Sequence, residues 1–131
     1  MKLQVIVNAH RSGLIDILGA IGIVDMERRH KLRMGMKKLS AELTVAYAEQ
    51  DRIIDSASPE KHSVSPNDTN YAEVVGQITA YFDTEAESNV DPCITQEDLN
   101  GAKISVFQED LIEALGLMIK SKGHDNESAL E

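Results

Sequence analysis

The sequence predicts an α+β domain, mostly α: a short two-stranded ribbon packed on three to four helices, one of them long and protruding. Three observations predict it. Aromatic side chains are few, with two Phe, three Tyr and no Trp among 131 residues. The core must then come from Leu, Ile, Val and Met, which suits helix-on-helix packing better than a β-sandwich. An apolar stripe with helical spacing is sustained from Leu32 to Ile53. Two short β-rich runs, one near each end of the chain, alternate well enough to pair. The length suits a single domain, residues 1–123, followed by a frayed, disordered tail at 124–131 with no apolar pattern.

Lys2-Leu3-Gln4-Val5-Ile6-Val7 is rich in β-branched residues and reads as a short, largely buried strand. Asn8 to Gly13 is a turn in which Ser12 is placed to cap the next helix. Leu14 to Ile23 is almost wholly apolar and reads as that short helix. Its Gly19 and Gly22 suit close helix packing, because Leu18-Gly19-Ala20-Ile21-Gly22 lacks the polar turn chemistry of a phosphate loop.

From Asp25 to Ser56, the residues Leu32, Met36, Leu39, Leu43, Ala46, Gln50 and Ile53 recur at alternating spacings of four and three. Asp25 caps this helix and Ser58-Pro59 stops it. At 1.5 Å per residue it would run for roughly 48 Å. A compact chain of this size has a radius of gyration of only ~14 Å, so the helix is expected to protrude. A weaker apolar line of Met34, Ala41, Val45 and Ala48 lies on nearly the opposite side. A helix apolar on two faces wants two partners, and a second copy of the chain, docked through helix 25–56, is the natural second one.

Pro59 to Thr69 is a polar loop. Residues 71–86 fit a helix through Ala72, Val75, Ile78 and Phe82, capped by Asp68 or Thr69, although 78–82 alone would pass for a strand. Length favours the helix. Thr95-Gln96-Glu97-Asp98 resembles a capping box opening a single turn. Lys103-Ile104-Ser105-Val106-Phe107 reads as the half-buried strand that pairs with the N-terminal one. Glu109 to Ser121 is a final helix with Leu111, Ile112, Leu115, Met118 and Ile119 inward.

One cysteine, Cys93, excludes an internal disulfide and fits a reducing compartment. Polar Asn8, His10 and Arg11 interrupt any signal-peptide core, and the apolar stretch from Leu14 to Met26 is too short to cross a bilayer. The expectation is a cytoplasmic protein with no membrane partner. His10, His30, His62 and His124 show no ligand-like spacing, so no metal and no cofactor is expected. Cys93 has no local His to lower its pKa, and Glu97-Asp98 and Glu109-Asp110 are explained by helix starts. No catalytic constellation emerges, and the chain is expected not to be an enzyme.

Charge is the most informative property. Residues 1–40 hold eight Lys/Arg against Asp16, Asp25 and Glu27, a local net of +5; residues 41–131 hold five against nineteen acids, a net of −14; together these give −9. Six of the eight cations fall between Arg28 and Lys38: Arg28, Arg29, Lys31, Arg33, Lys37 and Lys38. One explanation is a solvated face with i,i+4 support such as Glu27–Lys31. The other is an anion site, in which Arg grips phosphate as a fork and Lys adds point charge. Arg28 lies inside the apolar stripe, in line with Ala46 and Ile53, and so most needs an anionic partner. Duplex nucleic acid is disfavoured by the overall negative charge.

A short apolar helix followed by a long helix that opens Arg28-Arg29-His30-Lys31-Leu32-Arg33, continues Lys37-Lys38-Leu39 and turns acidic at Glu42, Glu49 and Asp51 resembles small phage proteins in pattern. Among these are the Thoeris anti-defence sponges, which sequester cyclic ADP-ribose-type signals as oligomers. The resemblance covers residues 1–56 and carries no functional residue across. It implies a phage-type accessory protein. The expectation is therefore a non-enzymatic, homo-oligomeric binding protein that captures a phosphate-bearing small ligand or nucleotide signal. The alternatives are an inhibitor or adaptor presenting Asp83, Glu85, Glu87, Asp91, Glu97 and Asp98 to a basic, nucleic-acid-binding host protein, or a structural phage assembly protein.

Overall fold

Five α-helices and one 3-10 turn account for the regular structure of the described residues: α1 Leu3–Arg11, α2 Leu14–Gly19, α3 Met26–Ala57, α4 Tyr71–Phe82, a 3-10 turn Glu97–Leu99 and α5 Val106–Leu115. The computed structural model describes residues 1–119. The expected tail at 124–131 and the end of the final helix beyond 119 lie outside them.

The two-stranded ribbon is not found, and no strand occurs among the described residues. The run expected as its first strand is α1. Leu3, Ile6 and Val7 are buried along one face, with Ala9 beside them, while Gln4, Asn8 and Arg11 follow each other at helical spacing on another. The Gln4 amide donates to Asn8 Oδ1 at 2.9 Å, an i,i+4 pair that only a helix can make. Burial against several elements outweighs the strand preference of three β-branched residues. α1 packs against α2, α3, α4 and α5 and is the hub of the core.

The run expected as the second strand is a helix entry. Ser105 Oγ accepts from the Gln108 amide at 3.1 Å and the Gln108 side chain accepts from the Ser105 amide at 3.0 Å, a reciprocal capping box that starts α5 at Val106. Val106 and Phe107 face outward as first-turn residues. The pairing that does exist is one bridge long in each place. Lys2 lies antiparallel to Glu85, with the Leu3 amide donating to Thr84 O at 3.0 Å, and Ile94 lies parallel to Met118. α5 ends at Gly116 in the left-handed region (φ 82°), earlier than the expected Ser121, and this turn delivers Leu117 into the core.

α3 occupies the expected position, capped by the Asp25 carboxylate, which accepts from the Arg28 amide at 2.9 Å, and closed at Ser58 before Pro59. It does not protrude. Leu32, Gly35, Leu39, Leu43, Ala46 and Ile53 are buried along it, because α1, α2 and α4 are spread along its length and cover one face. The long rod is thus the wall on which the shorter helices are assembled.

α2 stops at Gly19, short of the expected Ile23; the Ala20 and Ile21 amides close its last turn on Ile17 O and Leu18 O, and the chain then runs through Gly22–Val24 to α3 as an irregular segment. Ser12 does not cap it; its hydroxyl donates back to Ala9 O at 3.1 Å and closes α1, leaving Gly13 (φ 81°) as the hinge between the helices. A Cβ at Gly19 or Gly22 would meet nothing within 4 Å, so close packing is not what these glycines serve. α4 is a helix, as length favours. Val74 and Phe82 are its buried residues, Val75 is 41 % exposed, and Asn70 occupies the cap position.

Candidate functional site

α3 is buried along one face, so the chemistry it can offer lies on the rest of its circumference. With 3.6 residues per turn, Arg29, Arg33 and Lys37 fall on one flank at one-turn intervals, about 6 Å apart along the axis. Beside them α2 and the turn after it bring up Leu18, Gly19 and Ile21. Together with Leu32 and Met36 they enclose a groove of about 520 Å³, with Ser40 at its far end. Leu18 is fully buried and Leu32 nearly so, which makes the floor apolar and fixed. The rim is cationic. No carboxylate lines the groove.

Arg29, Arg33 and Lys37 form no ion pair among the described residues. Arg29 makes one long contact, donating to Ile23 O at 3.4 Å. Like charges at i,i+4 repel by ~0.2–0.5 kcal/mol per pair, so three in succession, without acids between them, are a small standing cost to the helix. The lining offers guanidinium, ammonium and hydroxyl donors over an apolar floor, and no thiol, imidazole or carboxylate. Chemically, that set holds an anion with an apolar body.

The other cations of the Arg28–Lys38 window are engaged inside the chain. Arg28 points to the buried side, as its register predicts. Its guanidinium donates through both terminal nitrogens to the Asp98 carboxylate and, at 3.0 Å, to the Cys93 carbonyl. The anionic partner that Arg28 requires is the chain's own Asp98, 70 residues away. Asp98 also accepts from the Thr95 amide at 2.8 Å and donates its own amide to Thr95 Oγ1, the reciprocal turn read from the sequence. Burial pushes the Asp98 carboxyl upward, but the hydrogen bonds from Arg28 and Thr95 outweigh it and hold the group below the ordinary carboxylate value. Lys31 lies 3.5 Å from Glu27, and Lys38 Nζ donates to Asn89 O at 3.0 Å.

The acidic residues considered for a basic partner are scattered in role. Asp98 is committed to Arg28, and Asp83 accepts from Lys2 at 2.7 Å. Glu85, Glu87, Asp91 and Glu97 are exposed. Cys93 is fully buried, and burial raises its thiol pKa, the opposite of what a nucleophile needs. No cluster of three or more metal-binding side chains occurs among the described residues. Nor is any helix among them long and apolar enough to cross a membrane.

Sequence reasoning locates the cations but misses the floor. In the sequence Leu18 and Ile21 look like the interior of a longer helix; in the structure α2 ends at Gly19, Ile21 lies in the turn beyond it, and both line the groove. Comparison with protein-family models, curated proteins and solved structures gives no significant match.

Proposed function

We propose that the chain is a non-enzymatic binding protein that captures a phosphate-bearing small ligand in the α2–α3 groove, and that it does so as a homo-oligomer. One observation carries this reading. Arg29, Arg33 and Lys37 line a single groove with an apolar floor and no carboxylate, while the neighbouring Arg28 and Lys31 pair with carboxylates of the chain and Lys38 lies outside the groove on the Asn89 carbonyl. Two arginines supply forks that match phosphate oxygens, the lysine adds charge, and Leu18, Ile21, Leu32 and Met36 accept the uncharged part of the ligand.

The oligomer rests on the face of α3 nearly opposite its buried stripe, where Met34 is 41 % and Val45 64 % exposed, in line with exposed Ala41 and Ala48. By helical register the cation ladder lies between this line and the buried stripe. A second copy docked there would stand beside the groove and shield its charges from solvent.

Thermal shift with pyrophosphate and ADP tests the reading. Both should raise the melting temperature of the wild type. Arg29→Ala or Arg33→Ala should weaken binding roughly tenfold to a hundredfold, the loss of a charge-assisted bond of ~1.5–3 kcal/mol. Lys in place of either should rescue only in part, because it cannot form the fork. If no phosphate compound stabilises the protein, and neutralising Glu85, Glu87 and Asp91 abolishes capture of a basic partner, the adaptor reading replaces this one.

A further inference from the structure

A second groove lies toward the other end of α3, where α4 packs across α1 and the C-terminal half of α3, and its chemistry differs from the first. It measures about 400 Å³, within the range of small-molecule sites. Ile54, Val74, Ile78 and Phe82 give it an apolar floor, of which Val74 and Phe82 are almost fully buried. A single cation stands at its rim, Arg11 in the last turn of α1. Gln4, Gln50 and Thr79 add neutral hydrogen-bonding groups, and no Asp or Glu lines it.

Arg11 is held in a way that leaves its charge unmatched. Its guanidinium carbon sits 6.0 Å from the Phe82 ring centroid, within reach of a cation–π contact. One terminal nitrogen donates to Gln50 Oε1 at 3.4 Å, and no ion pair involves it among the described residues. The aromatic face and the neutral amide orient the guanidinium without neutralising it, and its remaining N–H groups are left for an incoming acceptor. One fork on an apolar groove is complementary to one carboxylate on an apolar body.

From this juxtaposition, the lone Arg11 fork above the Phe82–Val74–Ile78 floor, we infer that the groove binds an amphipathic monocarboxylate, its carboxylate on Arg11 and its aliphatic or aryl body between α3 and α4. The site is separate from the phosphate groove, and each stands without the other.

Calorimetric titration of the 131-residue chain with octanoate, phenylbutyrate, octanol and octylamine tests it. The two acids distinguish an aliphatic from an aryl body, and octanol and octylamine remove or reverse the charge. Either acid should bind at least about tenfold more tightly than octanol, the worth of one charge-assisted bond, and octylamine should not bind. Arg11→Gln should erase the preference for acid over alcohol. Val75→Trp, placed at the half-exposed rim of α4, should block the groove and abolish binding of all probes while helical content is retained. Arg33→Ala, which weakens phosphate capture in the other groove, should leave the affinities for both acids and for octanol as they are in the wild type. Binding of octanol as tight as octanoate, acid binding that survives Val75→Trp, or no binding of either acid would overturn the inference.

Discussion

Arg28 shows why a count of cations is a poor guide to a binding site. On the helical wheel it falls within the apolar stripe, and its register alone says that it needs an anion; what register cannot say is that the anion is Asp98, brought from 70 residues away by the turn at Thr95. The pair joins the start of α3 to the 93–98 segment and satisfies the Cys93 carbonyl as well. Asp98→Asn should destabilise the fold by ~1–3 kcal/mol at neutral pH, because one of its hydrogen-bonded donors loses its acceptor. The folded carboxyl titrates below its unfolded value, so its contribution is present above about pH 4 and is lost as pH falls through the folded pKa. Denaturant titrations of wild type and variant should therefore differ at pH 7, and the gap should narrow as the pH falls through the folded pKa. A gap that persisted unchanged in acid would show that packing, not charge, is what Asp98 provides.

Among the elements, α3 is legible in the sequence and α1 is not, for the same physical reason. Over 32 residues a stripe at four-and-three spacing outweighs local ambiguity, and the Asp25 cap and the Ser58-Pro59 stop are unambiguous. Over five residues, Leu3 to Val7, β-branched composition and alternation mimic a strand. Only by continuing to Arg11 does the polar series Gln4, Asn8, Arg11 show the helical period. The 103–107 run misleads in the same way: its alternation suggests a strand, although Ser105 and Gln108 spell a capping box. Gly35 gives a sharper test of the packing on α3. It is buried in mid-helix, yet a Cβ there would meet Val90 at 3.5 Å and Leu117 at 3.7 Å, ordinary contact distances. Gly35→Ala should thus gain the helix propensity of alanine, up to ~1 kcal/mol, with no clash to offset it. Urea denaturation measures this directly; a loss of stability would mean that Val90 and Leu117 press closer on α3 than these distances show.

For the whole molecule, the uneven charge read from the sequence resolves into two kinds of cation. Some bind segments of the chain together, and others, at Arg29, Arg33 and Lys37 and at Arg11, face grooves without acids. Sequence alone could not separate them, since the partners of Arg28 and Lys38 lie far along the chain. The exposed Val45 line is one apolar surface that the fold leaves uncovered within one copy. Val45→Glu or Ala48→Glu leaves the buried stripe of α3 untouched, so each variant should keep its helical content, yet dissociate the oligomer because a buried unpaired charge costs several kcal/mol. Sedimentation at micromolar concentration would show the change, and wild-type protein that sediments as a monomer would remove the basis for this interface. Salt should weaken phosphate capture wherever the groove stays open to solvent, since screening acts on exposed charges.

Native mass spectrometry of the protein taken from cell lysate, with and without added ADP, tests anion capture by an oligomer in a single measurement. The expected result is an oligomer whose mass exceeds that of its chains by a phosphate-bearing species, or gains ADP on addition, and an Arg29→Ala/Arg33→Ala variant that keeps the subunit count but carries neither. A monomer at its bare mass that takes up no ADP, or a variant that takes up as much as the wild type, would contradict it.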